Sequence, residues 1–221
     1  MKFCPNLSIL PPPQLRLWPE LDATPATFTL YGGTALALRL GHRTSVDFDF
    51  FSNQPFDPDD LANALPYLKG AERVQVGLNT LTCRVERDGP VLLSFFGGLG
   101  QVTPRDQAEG RSIYVASLLD IAGTKVAVIQ KRAEVKDYLD IDALLQHGVD
   151  LPNALAAGSV VYGRSFNPMI ALKALSFFDD LPTLSIDVRK RLSIAVASVD
   201  PASLPILTPY AKRTDENEPT S

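Results

Sequence analysis

Hydrophobic and polar residues alternate in short runs through the first half of the chain, as is typical of half-buried strands. Turn-forming residues separate the later runs, first Asn79 and then the pair Asp88-Gly89. Strands are therefore predicted over 27–31, 46–51, 73–78, 80–87 and 91–96. The last three are close together along the chain, so they predict a β-meander.

Apolar residues at helical spacing begin beside these strands and dominate the second half of the chain. Ser117, followed by Asp120 three residues later, has the pattern of a helix cap. Gly123 falls inside the helix that this cap begins and costs about 1 kcal/mol relative to alanine, which indicates a close backbone approach. Helices are predicted over 34–40, 117–129, 136–146 and 186–199, and after residues 57 and 167.

The order of these elements predicts an α+β fold, with a mixed β-sheet flanked by helices and a C-terminal helical subdomain. Glycine, proline and asparagine accumulate over 148–165, so the junction is predicted there. The predicted parts are a core over 1–150, a helical subdomain over 151–211 and a mobile tail over 212–221, which has few residues that could pack.

Composition restricts the class of protein. The chain has 221 residues, of which 45% are hydrophobic and 21% charged, as in ordinary globular proteins. A net charge of −4 argues against a general nucleic-acid coat protein but allows a local basic groove. Neither a membrane span nor a secretory signal is recognisable. Cys4 and Cys83 lack metal-type spacing, so a cytoplasmic protein without disulfides is expected.

Asp47 and Asp49 are candidate metal ligands. They are two residues apart in a predicted strand, so their side chains leave the same face. Neighbouring carboxylates repel one another, and a cation between them removes that repulsion; oxygen ligands favour Mg²⁺. The alternative is that both side chains simply face solvent on a half-buried strand.

Gly32, Gly33 and Thr34 lie between a predicted strand and a predicted helix. Such a turn presents backbone N–H groups at the positive end of a helix dipole, where a phosphate binds well, and the Thr34 hydroxyl would be a further donor. The alternative is a tight turn that needs glycine for steric reasons. A phosphate cradle beside a Mg²⁺ site is what a nucleoside triphosphate requires.

Two segments make the chain similar to a known family. The segment over 32–51, GGTALALRLGHRTSVDFDFF, resembles the core motif of the DNA polymerase beta-like nucleotidyltransferase superfamily, and more closely the AbiEii/AbiGii-type abortive-infection toxins. The segment over 123–145, GTKVAVIQKRAEVKDYLDIDALL, resembles the lysine-bearing helix and the following K/R-D-x-x-D segment of those toxins. The nucleotidyltransferase fold is therefore expected.

The resemblance implies roles for the first segment. The glycine turn with Thr34 would hold the triphosphate, and Asp47 and Asp49 would ligate Mg²⁺. Ser45 matches a small hydroxyl residue just before the first carboxylate. Arg43 fits two roles equally well, a contact to phosphate or acceptor and a structural ion pair with a carboxylate of the second segment.

The resemblance also implies roles for the second segment. Lys125 matches the lysine that contacts the nucleotide phosphates, and Asp137 matches the later acidic residue of the active site, with Asp140 close behind. On an unbroken helix Asp140 lies nearer the basic residues than Asp137 does. These two carboxylates are also the alternative ion-pair partners of Arg43.

Lys125, Arg132 and Lys136 would form one stripe if a single helix ran through them, at spacings of seven and four residues. Such a stripe would stabilise the charge on the leaving pyrophosphate. The alternative is a solvated basic face. A helix break around 133–135 would bring Asp137 to the site instead of Asp140.

The chain departs from the superfamily pattern at Ser94, where members often carry a third carboxylate on a neighbouring strand. Serine is a poor Mg²⁺ ligand and is no base at neutral pH. Glu86 and Asp137 are candidates to replace the missing carboxylate. Otherwise the protein binds one metal ion, works by a slower mechanism or is inactive.

The expected function is transfer of a nucleoside monophosphate from a nucleoside triphosphate to a macromolecular hydroxyl, with Mg²⁺ as cofactor. By resemblance the acceptor is tRNA, the setting is a toxin–antitoxin or phage-defence system, and a cognate antitoxin is a partner; no membrane is involved. Two alternatives stay open. One is a catalytically impaired nucleotide-binding protein that acts through a partner, and the other is a small-molecule nucleotidyltransferase.

Overall fold

The computed structural model describes residues 1–212 of the chain. These residues form two compact units, the first of Met1–Gly100 and Pro104–Ala116 and the second of Gln101–Thr103 and Ser117–Ala211. In the described part, no helix has the length and apolar character needed to cross a membrane. Most of the predicted C-terminal tail, 213–221, lies outside the described residues.

The first unit contains a mixed eight-stranded sheet and three α-helices. The strands are β1 (Lys2–Phe3), β2 (Thr29–Tyr31), β3 (Asp47–Phe51), β4 (Glu72–Gly77), β5 (Thr80–Glu86), β6 (Pro90–Phe96), β7 (Asp106–Ala108) and β8 (Tyr114–Val115). The helices are α1 (Pro12–Leu17), α2 (Gly32–Leu40) and α3 (Pro58–Ala64). The strand order is β1-β7-β8-β2-β3-β6-β5-β4. The mixed sheet flanked by helices confirms the predicted fold class.

The centre of this sheet joins a β-meander to β3. Strands β4, β5 and β6 pair antiparallel in sequence order, as predicted. Strand β6 then pairs parallel with β3, which pairs antiparallel with β2 on its other side. The glycine turn at the end of β2 and the carboxylates of β3 are therefore on neighbouring strands.

Strand β3 buries one face and leaves the other half-exposed. Phe48 and Phe50 are at most 1% exposed, whereas Asp47 and Asp49, which alternate with them, are half-buried. The Phe48 ring stacks on Trp18 with 6.2 Å between the ring centroids, and the Phe50 ring stacks on Phe95 at 5.3 Å. Because the aromatic side chains fix which face is buried, both carboxylates must leave from the opposite face.

Arg39 in the last turn of α2 anchors this helix to the sheet. Its guanidinium donates to the backbone oxygens of Ala116 at 2.7 Å and Val115 at 3.1 Å, and to the Asp106 carboxylate at 2.9 Å. These charge-assisted bonds lie in a largely buried place, where they are stronger than in water. They hold the helix that begins at the glycine turn.

The second unit is helical. Its helices are α4 (Leu118–Val128), α5 (Val135–Gln146), α6 (Leu151–Tyr162), α7 (Pro168–Leu175) and α8 (Ile186–Ala197). The Ser117 hydroxyl caps α4 by accepting from the N–H of Asp120 at 3.0 Å, as predicted. The fully buried Asp120 carboxylate accepts in turn from the N–H groups of Val102 at 2.6 Å and Thr103 at 3.1 Å. This carboxylate therefore ties 101–103 to α4.

Gly123 lies where α4 crosses α6. A methyl group at this position would lie 2.8 Å from the carbonyl carbon of Ala157 and 2.9 Å from the nitrogen of Gly158. Contacts this short with backbone atoms cannot be relieved by rotating a side chain. The close approach inferred for Gly123 is therefore confirmed.

The Gly123→Ala substitution should lower the free energy of unfolding by about 1–3 kcal/mol because it overpacks the α4–α6 contact. At an open helical position the same change would instead raise stability by roughly 0.5–1 kcal/mol. Urea denaturation of the two proteins measures the difference. An increase in stability would contradict the contact described here.

The structure corrects the predicted domain boundary. The sequence pattern predicts a junction over 148–165, but this segment contains α6, which packs on α4 inside the second unit. Pro152 lies in the first turn of α6, where proline is tolerated, and Asp150 caps that turn. The two units divide at 116/117, because α4 and α5 belong with α6 rather than with the sheet.

Candidate active site

The glycine turn lies at the point where β2 becomes α2. Tyr31 ends the strand and provides no side-chain cap for the helix. Gly32 has φ of +71°, a left-handed conformation that favours glycine. This conformation turns the chain sharply, so the N–H groups of the first helical turn point to one place with the positive end of the helix dipole.

The turn lies directly against the first-segment residues that the sequence singled out. A methyl group at Gly32 would collide with Oδ2 of Asp49, and it would be 3.2 Å from Cβ and Cγ of the same side chain. A methyl group at Gly33 would collide with the guanidinium of Arg43 and lie 2.9 Å from the Ser45 hydroxyl. The structure therefore brings together the turn, one carboxylate, Arg43 and Ser45.

The Thr34 hydroxyl makes a hydrogen bond within the protein, whereas the sequence predicted a hydrogen bond to phosphate. Its side chain is 1% exposed, and its hydroxyl donates to the backbone oxygen of Asp47. This bond connects the first turn of α2 to the start of β3, so the hydroxyl holds the site together rather than facing a phosphate. Because the hydroxyl is engaged in this bond, Thr34 offers an anion only its backbone N–H group.

Ser94 is the register partner of Asp49 on the neighbouring parallel strand. The side chains of register partners leave the same face of a sheet, so Ser94 lies beside the Asp49 carboxylate. The residue beside Asp49 on β6 is therefore a serine, and its match to the third-carboxylate position stays a prediction. Sequence reasoning missed Thr82, whose hydroxyl donates to Ser94 at 3.3 Å. The strand alternation in β5 was the signal that places Thr82 on this face.

Cys83 has no catalytic geometry. It is 1% exposed and leaves the opposite face of β5 from Thr82. Burial raises the pKa of its thiol, which disfavours the reactive thiolate. Cys83 is therefore a small buried hydrophobic residue of the sheet.

Replacing Gly32 by alanine tests the contact with Asp49. Gly110 has the same φ of +71° and no atom within 4 Å of the place that a methyl group would occupy, so it is a matched control. Both Gly32→Ala and Gly110→Ala should cost about 1–2 kcal/mol of stability from backbone strain. Only Gly32→Ala displaces the carboxylate, and we expect it to lower the rate of a reaction that depends on this site by about 10- to 100-fold. Equal rates in the two variants would contradict this geometry.

In the second unit Lys125 is the centre of a buried ion-pair cluster. Its Nζ lies 2.9 Å from Oδ1 of Asp137 and 2.5 Å from Oδ2 of Asp140. Both carboxylates are fully buried, and the lysine is 5% exposed. The lysine charge is therefore balanced by carboxylates within its own unit, and removing one member of this buried cluster by itself should be strongly destabilising.

The helix break explains why both carboxylates reach the lysine. Helix α4 ends at Val128 and α5 begins at Val135, so no continuous stripe connects Lys125 with Lys136. Arg132 lies in the break and donates to Asp137 at 3.1 Å. Lys136 is exposed and pairs with Glu134 at 2.9 Å. The unbroken stripe is therefore wrong. A break is present, but it lies over 129–134 rather than around 133–135, and it brings Asp140 as well as Asp137 to Lys125.

Comparison with known proteins identifies related sequences. A family described as nucleotidyl transferase AbiEii toxin of a type IV toxin–antitoxin system matches residues 20–201. An uncharacterised protein of Aquifex aeolicus (strain VF5) is 32% identical over 157 residues, which are 69% of this chain and 74% of that protein. The family match therefore includes both units.

Solved structures with similar folds are nucleotidyltransferase-like. One is the nucleotidyltransferase toxin MenT4 of Mycobacterium tuberculosis, with a TM-score of 0.55 and 16% identity over 85% of this chain and 82% of that one. Another is an antigenic nucleotidyltransferase-like protein of Paracoccidioides brasiliensis, with a TM-score of 0.53 and 16% identity over 88% of this chain and 94% of that one. At this identity the likeness shows the fold.

Proposed function

Because this chain belongs to the AbiEii family of nucleotidyltransferase toxins, we propose that it transfers a nucleoside monophosphate from a nucleoside triphosphate to a hydroxyl group of a macromolecule, with tRNA as the acceptor. One observation carries the proposal. Gly32, at the N-terminus of α2, lies against the carboxylate of Asp49. A helix N-terminus attracts phosphate, and a carboxylate pair attracts the cation that accompanies a triphosphate.

The proposed reaction forms a bond between the acceptor hydroxyl oxygen and the α-phosphorus. The bond from the α-phosphorus to the oxygen that bridges to the β-phosphorus breaks, pyrophosphate leaves, and the acceptor proton passes to water. The N–H groups of the first turn of α2 bind phosphate oxygens. The Arg43 guanidinium, which lies against Gly33, stabilises the charge that develops on the leaving pyrophosphate.

Mg²⁺ fits the donor set of this site. Asp47 and Asp49 offer carboxylate oxygens from the same face of β3, and Mg²⁺ is commonly bound by one or two carboxylates together with substrate phosphates. When bound, the ion offsets phosphate charge and polarises the α-phosphate. We assign Asp47 and Asp49 as its protein ligands.

The family description includes a type IV toxin–antitoxin system. We therefore extend the proposal to a cognate antitoxin as the partner that limits this activity, with phage defence as the setting. The roles that the resemblance gives to Lys125, Asp137 and Asp140 stay predictions. The contact of Lys136 with the nucleotide comes from helical spacing rather than from the resemblance, and it is likewise untested. The buried ion pairs of Lys125 are an alternative reason for its presence.

Transfer of a labelled nucleotide tests the function. The purified protein would be incubated with Mg²⁺, total tRNA and each of the four nucleoside triphosphates in turn, labelled at the α-phosphate. An Asp47→Ala variant provides the background. We expect at least one nucleotide to label tRNA above this background, and equal labelling by both proteins with all four nucleotides would contradict the proposal.

Ser94 supports a second candidate function, that of a nucleotide-binding protein that has lost catalytic activity. The residue beside Asp49 on β6 is a hydroxyl rather than a carboxylate. Calorimetric titration with the four nucleoside triphosphates separates the two functions. Binding without any transfer supports the second candidate, whereas binding with transfer supports the first.

A further inference from the structure

A row of polar side chains crosses the sheet beside the proposed metal ligands. Asp49 on β3 is in register with Ser94 on β6, and Ser94 is in register with Thr82 on β5. All three therefore leave the same face of the sheet. Ser94 is 7% exposed and Thr82 is 6% exposed, and the two hydroxyls are hydrogen-bonded to each other. The place next to Asp49 is thus filled by two packed, neutral side chains.

Glu86 does not replace the missing carboxylate. It leaves the same face of β5 as Thr82 but is four residues further along, roughly 13 Å at about 3.3 Å per residue. Its register partner is Pro90, at the far end of β6 from Ser94. Among residues 1–212, no group of three His, Cys, Asp or Glu side chains is arranged to hold a metal ion. Within the described residues, no third side chain of these types therefore joins Asp47 and Asp49 as a ligand of one metal ion.

Mg²⁺ requires six ligands in nearly ideal octahedral geometry and gives up its water reluctantly. Two carboxylates alone fill a minority of these six positions. Oxygens of the triphosphate and water molecules fill the others. From this ligand count we infer that Ser94 restricts the site to a single divalent cation, and that this ion binds together with the nucleotide rather than before it. The inference rests on the proposed function.

Manganese binding measures this stoichiometry directly. Electron paramagnetic resonance reports free Mn²⁺, which would be titrated into the full chain with and without a non-hydrolysable nucleoside triphosphate analogue. We expect one Mn²⁺ for each protein–analogue complex. Without the analogue, we expect Mn²⁺ to bind at least about tenfold more weakly, because the phosphate ligands are then missing.

Two variants at Ser94 test the residue itself. Ser94→Asp adds the carboxylate and should raise the count to two Mn²⁺ ions per complex. Ser94→Asn adds a side chain of the same size without charge and should leave it at one. Because neighbouring like charges destabilise a sheet, Mn²⁺ with the analogue should raise the melting temperature of Ser94→Asp more than that of Ser94→Asn.

The outcomes separate this inference from the function on which it rests. Two Mn²⁺ ions in the unmodified complex, or tight Mn²⁺ binding without the analogue, would overturn the inference and leave the proposed function standing. Failure of the unmodified protein to bind the analogue at all would overturn both. These measurements on the unmodified protein decide the matter even if Ser94→Asp does not fold.

Discussion

Asp47→Asn and Asp49→Asn should each lower the rate of nucleotide transfer by about 10²–10³-fold, because losing a metal ligand removes several kcal/mol of transition-state stabilisation. Asparagine has nearly the same size as aspartate, and the packing of Phe48 and Phe50 on the other face of β3 is unchanged. The initial rate of label transfer to tRNA measures the effect. Thermal unfolding of the same samples shows that the variants remain folded.

Glu72→Gln is the matched control for these substitutions. Glu72 lies on the edge strand β4 of the same sheet and pairs with Arg84 at the surface, 2.8 Å away. Exposed ion pairs of this kind contribute little stability, so the variant should fold and transfer label at the unmodified rate. If Asp47→Asn and Asp49→Asn matched this control in rate, the carboxylate pair would have no part in catalysis.

Lys125→Met should lower the free energy of unfolding by about 3–5 kcal/mol, because it removes a positive charge that two buried carboxylates share. The lysine Nζ is within 2.9 Å of both Asp137 and Asp140, and neither carboxylate is exposed. Urea denaturation gives the value. A loss of activity in this variant is therefore informative only under conditions where the protein remains folded.

Two further variants show how much of the stability cost of Lys125→Met comes from the loss of its buried charge. Lys136→Met removes an exposed lysine that pairs with Glu134, and it should cost less than about 1 kcal/mol. The double variant Lys125→Met with Asp140→Asn should be more stable than Lys125→Met alone, because one buried negative charge is removed together with the lysine. Similar costs for Lys125→Met and Lys136→Met would show that the ion-pair cluster does not stabilise the second unit.

Most of the sheet could be predicted because its strands have a local signal. In β3 the alternation of carboxylates and phenylalanines determines which face is buried, and the turns at Asn79 and Asp88 separate the strands of the meander. Strand β1 has no such signal. It is two residues long and exists because it pairs with β7, about a hundred residues later in the chain. Pairing of this kind depends on the tertiary fold.

Helix α6 could not be predicted, for a different reason. Its Pro152 and Gly158 are typical of a junction, but each has a place in a packed helix. The proline lies in the first turn, and a methyl group on the glycine would lie 2.9 Å from the Phe166 ring. Composition alone does not distinguish a glycine that breaks a helix from one that permits a close contact.

The candidate site was predictable in its first segment and less so in its second. The spacing of Gly32, Asp47 and Asp49 indicated a shared site, and the structure places Gly32 against Asp49. The resemblance gave Lys125 a phosphate contact, whereas the structure shows that buried carboxylates surround its charge. This pairing depends on the helix break after Val128, which the sequence pattern left open.

The position of the transferred label tests the central claim most directly. The protein, Mg²⁺ and tRNA would be incubated in parallel with the same nucleoside triphosphate labelled at the α-phosphate or at the γ-phosphate. Transfer of a nucleoside monophosphate puts the α-label on tRNA and releases the γ-label in pyrophosphate. We predict labelled tRNA from the α-labelled nucleotide only. Label on tRNA from the γ-labelled nucleotide, or no label on tRNA from either nucleotide, would contradict the account.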